Sequence, residues 1–197
     1  MQYKQAYLDA RRDFAQKDPQ LMAELAGGQY LAAGTIEMMV WGQVCRVTYP
    51  EGRVSIAAWP SLPHEELILI LQYLAGASGL PLRGRWLSFL ELPGGPHHFA
   101  PFQQEAIFPL ARAFGSTADA FLKAAKDLGG VEVQMGHAGV VIPAFPKIPL
   151  AFMLWTADEE FPATANILFD ASSPTYLRTA SLYMLGIAAA SRLMAGN

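Results

Sequence analysis

Cysteine is almost missing from this chain of 197 residues: Cys45 is the only one. One thiol cannot close an internal disulfide or ligate a cluster within one chain, and such usage fits a reducing cytoplasm. Charge is scarce as well. Lys and Arg number 14 and Asp and Glu 17, so 16% of residues are charged and the net charge is −3. No basic excess marks a nucleic-acid partner, and Arg83 and Arg85 are too few to form a patch. Also missing is an uninterrupted apolar run of the ~20 residues that a membrane helix needs. Leu67 to Ala77 and Leu182 to Met194 are too short, while Pro143, Pro146, Lys147 and Pro149 interrupt the stretch from Ala138 to Trp155. The opening MQYKQAYLDARRDFAQ has polar residues throughout and no apolar core of a secretory signal. A cytoplasmic protein without membrane spans is expected.

Apolar residues, by contrast, make up 52% of the chain. That surplus belongs in a core, with a homodimer interface as the other possible destination. The length suits one domain.

Periodicity divides the chain into blocks. Tyr3, Tyr7, Ala10 and Phe14 recur at helical spacing, and Asp18-Pro19 reads as a cap and first helical position for a helix that Gly27-Gly28 closes. From Val44 to Tyr49 the period falls to two, Pro50-Glu51-Gly52 supplies a turn, and Val54 and Ile56 resume: a hairpin. Thr35 to Trp41 predicts a third strand ending at Gly42. A helix starts at Ser61-Leu62-Pro63, runs to about Leu74 and is apolar on more than one face, so burial on both sides is expected. Arg85 to Leu90 reads as a strand. Phe102 to Phe114 has helical spacing with Pro109 inside it, which means either a kink or a second helix starting there. Ser116 with Asp119 resembles a capping box for a helix that ends at Gly129-Gly130. Strands follow within Val131 to Met135, Val140 to Ile142 and Leu150 to Trp155, and Ala165 to Phe169 is a short strand or a buried turn. Thr179 begins a last helix with Leu182, Leu185, Ala189 and Leu193 on one face. Strands, then helices, then strands, without βαβ alternation, predict an α+β fold with an antiparallel or mixed sheet packed with helices.

Two segments are densest in chemistry-bearing residues. In WLSFLELPGGPHHFAPF, Glu91 and His97 flank Gly94-Gly95, whose missing side chains would allow close approach to a ligand, and Trp86 stands at its start. Adjacent His97 and His98 cannot both point inward from an extended segment. The plainer reading is a rigid connection stiffened by Pro93, Pro96 and Pro101. In WTADEEFPATANILFD, Asp158, Glu159 and Asp170 could share acid and base roles, against the plainer reading of a solvated turn. Glu65 and Glu66 complement a helix dipole, Cys45 reads as a packed thiol, and the four histidines show no metal-ligand spacing. No metal site within one chain is expected, and no cofactor is indicated. No phosphate-loop or Gly-x-Ser-x-Gly motif occurs.

The strings WLSFLELPGGPHHFAPF, LGG, FPKIPLAFMLW and DEEFPATANILFD, with the final helix, resemble an uncharacterised family, domain of unknown function 3786. The resemblance runs from about Pro63 to the final helix, leaving residues 1–60 as N-terminal helices plus hairpin before a family-like part at 61–197. It implies a home mainly in anaerobic bacteria and archaea, and no established activity. Some members carry an added iron–sulfur cluster domain, which implies a setting in anaerobic redox or one-carbon metabolism. Lacking those cysteines, this chain would serve as the partner of an iron–sulfur or corrinoid protein, or bind a small molecule. The expected binding surface joins Trp86, Glu91, Gly94, Gly95 and His97 to Asp158, Glu159 and Asp170. The alternatives are an enzyme using Glu91, His97, Asp158 or Glu159, and an assembly subunit using the last helix.

Overall fold

Two stretches of period-two patterning, separated by helix-forming sequence, become two antiparallel sheets. The computed structural model describes residues 2–196. It begins with α1 (Gln2–Ala15) and α2 (Pro19–Leu25). Ala10 and Phe14 are buried on α1, while the side chain of Tyr3, expected on the same stripe, falls outside the described residues. Asp18 caps α2 as its sequence foretells: the carboxylate accepts the Leu21 N–H at 2.8 Å, and Pro19 fills the first helical position.

The smaller sheet has the order β1 (Gln29–Leu31), β2 (Thr35–Val40), β3 (Gln43–Thr48) and β4 (Val54–Ile56). The expected hairpin is the β3–β4 pair, with Cys45 facing Ile56. The edge strand β1 has too little burial contrast to leave a pattern in the sequence. Trp41, expected to end a strand, instead forms a two-residue turn with Gly42, both at positive φ (51° and 72°), as a type I′ hairpin requires. A side chain at Gly42 would also press its Cβ to 2.8 Å from the Gly129 amide nitrogen, so this turn packs tightly on the turn at Gly129.

The larger sheet has the order β5 (Trp86–Ser88), β9 (Thr164–Asp170), β8 (Ile148–Trp155), β7 (Ala138–Phe145) and β6 (Val131–Val133). All its pairings are antiparallel. Ile148, Leu150, Phe152 and Leu154 of the central strand are fully buried, and Pro149, Met153 and Trp155 lie half-buried on the other face. β7 and β8 outrun their expected limits because Pro143 and Pro149 face each other near the hairpin end, where the register shifts and missing donors are tolerated. Ala165 to Phe169 is a strand, not a turn. The fold is α+β, and of the two expected sheet types the antiparallel one forms. The Arg85–Leu90 strand is shorter than expected, giving way at Phe89 to a 3₁₀ turn that Glu91 helps cap.

α3 (His64–Gly76) lies between β4 and β5 in sequence, and α4 (Phe99–Phe102), a π turn at Gln103–Ile107, α5 (Phe108–Phe114) and α6 (Ala118–Asp127) lie between β5 and β6. The π turn answers the Pro109 question. Phe108 N–H bonds to Gln103 O, five residues back, and this wider turn accommodates a ring that would strike the preceding carbonyls of a regular α-helix. α6 does not start from a Ser116 capping box. Thr117 is the cap residue, its carbonyl taking the N–H groups of Ala120 and Phe121, and no side chain caps the end.

The last helix, α7 (Thr179–Ala195), packs against α3, the π turn, α5 and α6. Leu182, Leu185, Ala189 and Leu193 are wholly buried, so the domain itself supplies the cover that an apolar helix needs. Gly186 permits this closeness: a Cβ there would lie 2.6 Å from the Phe102 ring, which stacks on Phe89 at 4.3 Å.

One ion pair crosses this interior. Glu66 of α3 accepts from Arg192 Nε of α7 at 3.0 and 3.1 Å, and their side chains are 7% and 13% exposed. The guanidinium stacks 3.7 Å from the Trp59 ring centroid, and Trp41 lies 5.9 Å away. Glu66 is therefore no mere dipole-complementing residue. Arg192→Met should destabilise the fold by ~3–5 kcal/mol, because a buried carboxylate is left unpaired, while the Glu66→Gln/Arg192→Met double variant should recover part of that loss. Urea unfolding of the four members of this cycle checks it; additive losses would show that the pair is not coupled.

Candidate functional site

The two segments singled out from sequence use their polar groups mainly on their own backbone. Asp170, at the end of β9, is 2% exposed, and its carboxylate accepts four hydrogen bonds. These come from the N–H groups of Arg83 (3.0 Å), Gly84 (2.8 Å) and Ser172 (2.9 Å) and from Ser172 Oγ (2.7 Å). Trp86 sits opposite Asp170 in the β5–β9 register. Glu91 takes the Ser88 N–H at 2.8 Å and Ser88 Oγ at 2.9 Å, closing a capping box. Gly94 adopts φ 73°, as its turn requires, with open space where a Cβ would stand, whereas any Cβ on buried Gly95 would collide with the Phe89 carbonyl. His97 is exposed, and the exposed His98 meets the Tyr183 ring edge-on at 6.4 Å.

Asp158 and Glu159 lie in the loop between β8 and β9. Asp158 accepts the N–H groups of Glu160 (2.9 Å) and Phe161 (2.7 Å), and Glu159 is exposed. His137 Nδ1 accepts the Thr156 N–H at 3.1 Å at the start of this loop. Trp86, Asp170 and Glu91 thus gather around the Arg83–Arg85 segment. Among the described residues no hydrogen bond, ion pair or ring contact joins the Glu91–His98 turns to Asp158 or Glu159.

Electrostatics act in one direction on Glu91, Asp158 and Asp170. Hydrogen bonds from the Ser88 N–H and hydroxyl, with a smaller contribution from the nearby Arg85 charge, hold the Glu91 carboxyl below its ordinary range. The Phe161 and Glu160 N–H groups do the same for Asp158, with His137 adding to the effect. For Asp170, burial pulls upward, and the bonds from Ser172, Arg83 and Gly84 outweigh it, so the carboxyl again titrates low. General acids and bases near neutrality need the opposite shift. Burial pushes the Cys45 thiol up to about 12, as suits a packed side chain.

None of the sequence-selected residues lines any of three recesses in the surface. The most polar of these, about 500 Å³, lies where α1, α3 and the start of α7 converge. Asp13 and Gln16 of α1 line it, with Lys17 just beyond that helix, Gln72 and Ala75 of α3, and Arg178 and Ser181 at the start of α7. Ser181 Oγ donates to Gln72 Oε1 at 2.7 Å, which leaves the Gln72 amide NH₂ as its remaining donor. Thr175 Oγ1 donates to Ser172 O at 2.7 Å and so accepts from Ser78 Oγ at 2.9 Å, fixing the wall. A second recess of about 590 Å³ lies beside Arg46, Trp59 and Leu62. A third, about 260 Å³, lies between Glu65, Glu105 and Tyr183. Sequence reading passed over the first recess because its residues come from three distant helix ends and form no motif. Its one local signal is Gln72, a lone polar residue in the apolar run LILILQYLAG.

Asp170→Asn should cost roughly 1.5–3 kcal/mol at pH 7, since it weakens several charge-assisted bonds in a buried setting. A lowered carboxyl contributes stability that is present above its unfolded value, 3.8, and lost as pH falls through the folded value. The gap between variant and parent in chemical denaturation should therefore be constant from pH 7 to about 5 and shrink below about 3.8. A gap that persisted unchanged at pH 3 would contradict this role.

No curated protein and no solved structure matches the chain. A family model does match, over residues 18–192, so the matched part takes in α2 and the smaller sheet as well as everything from Pro63 onward. With most of its length covered, from the cap of α2 to the arginine of the buried ion pair, this chain belongs to the family described as Domain of unknown function (DUF3786).

Proposed function

We propose that this chain is an accessory domain that binds a small molecule in the recess between α1, α3 and the start of α7. The observation that carries this reading is the Gln72–Ser181 hydrogen bond at the recess. Two apolar helices place a polar pair at their junction, lining a cavity in the size range of small-molecule sites. The family resemblance implies a setting in anaerobic redox or one-carbon metabolism. Acid–base catalysis by Glu91 or Asp158 has less support, because both carboxyls titrate low and are engaged by their own turns.

A second reading, docking of a partner protein, draws on the ribbon from Leu80 to Arg85. Leu80 and Leu82 are each 46% exposed, and Arg83 and Arg85 are exposed. Yet the backbone is held firmly by Asp170 under Arg83 and Gly84, by the Tyr176 hydroxyl on Leu80 O and by Ala171 N–H on Arg85 O. A rigidly held, apolar and cationic ribbon suits recognition of an acidic segment. A protein that copurifies from the native host with the parent chain should be lost with Leu82→Asp/Arg85→Glu; retention of the same partner speaks against this surface.

The recess reading predicts that protein purified without oxygen from its own host carries a bound small molecule, seen as added native mass. Ala75→Trp, which fills the recess from α3, should abolish that mass and any melting-temperature rise given by a metabolite panel. A parent chain that shows neither bound mass nor a shift with any compound would refute the reading.

A further inference from the structure

We infer that the ligand of this recess carries a carboxylate or phosphate group held by Lys17 and Arg178, an inference that rests on the recess reading. Both cations line the cavity, and among the described residues neither has a carboxylate within 4.0 Å. Arg12, Arg46 and Arg192 do have such partners, so the lack of one is not general to this surface. Asp13 is the one acidic residue lining the recess, and its ion-pair partner is Arg12, at 3.9 Å. Lys17 and Arg178 against Asp13 leave a local excess of positive charge on a chain whose net charge is −3.

The donors are complementary to an oxyanion. Lys17 and Arg178 offer only N–H groups, and the amide of Gln72, whose oxygen accepts from Ser181, adds another donor among the residues lining the cavity. Arg178 offers a planar fork that can meet two oxygens of a carboxylate or phosphate at once, while Lys17 provides a compact charge. Position adds to this. Arg178 is the cap residue of a helix of 17 residues whose first turn holds no acid and whose end no side chain caps. A cation at the positive end of a helix is unfavourable, and a bound anion between the two cations relieves it. Carboxylate and phosphate share this chemistry, so the probes separate them.

The test titrates the full-length, isotope-labelled chain at constant ionic strength with inorganic phosphate, citrate, neutral sorbitol and cationic putrescine, following backbone amide resonances. Phosphate or citrate should give saturable shifts concentrated at Lys17, Gln72, Arg178 and Ser181. Arg178→Gln and Lys17→Gln should each weaken that binding by about tenfold or more, and Arg178→Lys by less. Lys17 and Arg178 are exposed, so the variants should keep the parent melting temperature, which confirms that any loss is local. Saturation by sorbitol or putrescine alone would overturn the anion assignment and leave the recess reading standing. Shifts from the anions that do not saturate, or that Arg178→Gln leaves intact, would overturn it as non-specific screening. No shift from any probe, with a bound mass still present in host-purified protein, would likewise reject the anion class. The same silence with no bound mass would reject both readings.

Discussion

The pairing of Glu66 with Arg192 constrains everything around it. A carboxylate and a guanidinium taken out of water must be matched closely in position, because each unpaired alone is strongly destabilising. Their bidentate contact fixes the relative placement of α3 and α7, and the stacking of the guanidinium on Trp59 ties both helices to the chain leaving the smaller sheet. Trp41, in the β2–β3 turn, closes the other side, and its backbone N–H donates to Ala144 O of β7 at 3.2 Å. One ion pair thus links helices that are distant in sequence to both sheets.

With α3 and α7 so placed, the ends of the two helices opposite to the ion pair meet α1. Arg192 lies near the C-terminal end of α7 and Glu66 near the N-terminal end of α3, so the helices run antiparallel, and Gln72 comes opposite Ser181. The candidate recess is therefore a consequence of the same packing that buries the pair. Along the helices between these two points lie apolar side chains, with Leu185 and Ala189 on α7 and Leu69 and Ile70 on α3 wholly or almost wholly buried. Polar groups at each end of an apolar interface limit sliding, since any shift would leave them unpartnered.

The aromatic interior behind α7 explains the dense segment around Glu91. Phe89, Phe102, Phe169 and Tyr183 form one contacting set, with Gly186 allowing the helix to approach Phe102. Getting Phe89 into that set requires the chain to leave β5 and turn at once. The Ser88–Glu91 capping box and Gly94-Gly95 accomplish that turn. The unusual composition of WLSFLELPGGPHHFAPF is thus largely accounted for by packing. Asp158 stabilises its own loop in a similar way, and Asp170 holds the Leu80–Arg85 ribbon.

Local chemistry was readable from the residues alone wherever neighbours in sequence decide the outcome. Asp18-Pro19 starts α2, Pro50-Glu51-Gly52 turns the hairpin, and the apolar circumference of α7 requires burial. Each depends on backbone geometry or on the cost of exposing apolar surface, and both are written in short windows of sequence. Tertiary structure alone decided the partners. Glu66 looks like an ordinary first-turn acid until Arg192 arrives 126 residues later, and Pro109 leaves open kink or restart until a π turn absorbs it. Lys17, Gln72 and Arg178 share no window and no period, so their convergence exists only after three helices have packed. The physical reason is range: hydrogen bonds within a turn are set by spacing along the chain, whereas charges and cavities are set by which surfaces the buried core brings together.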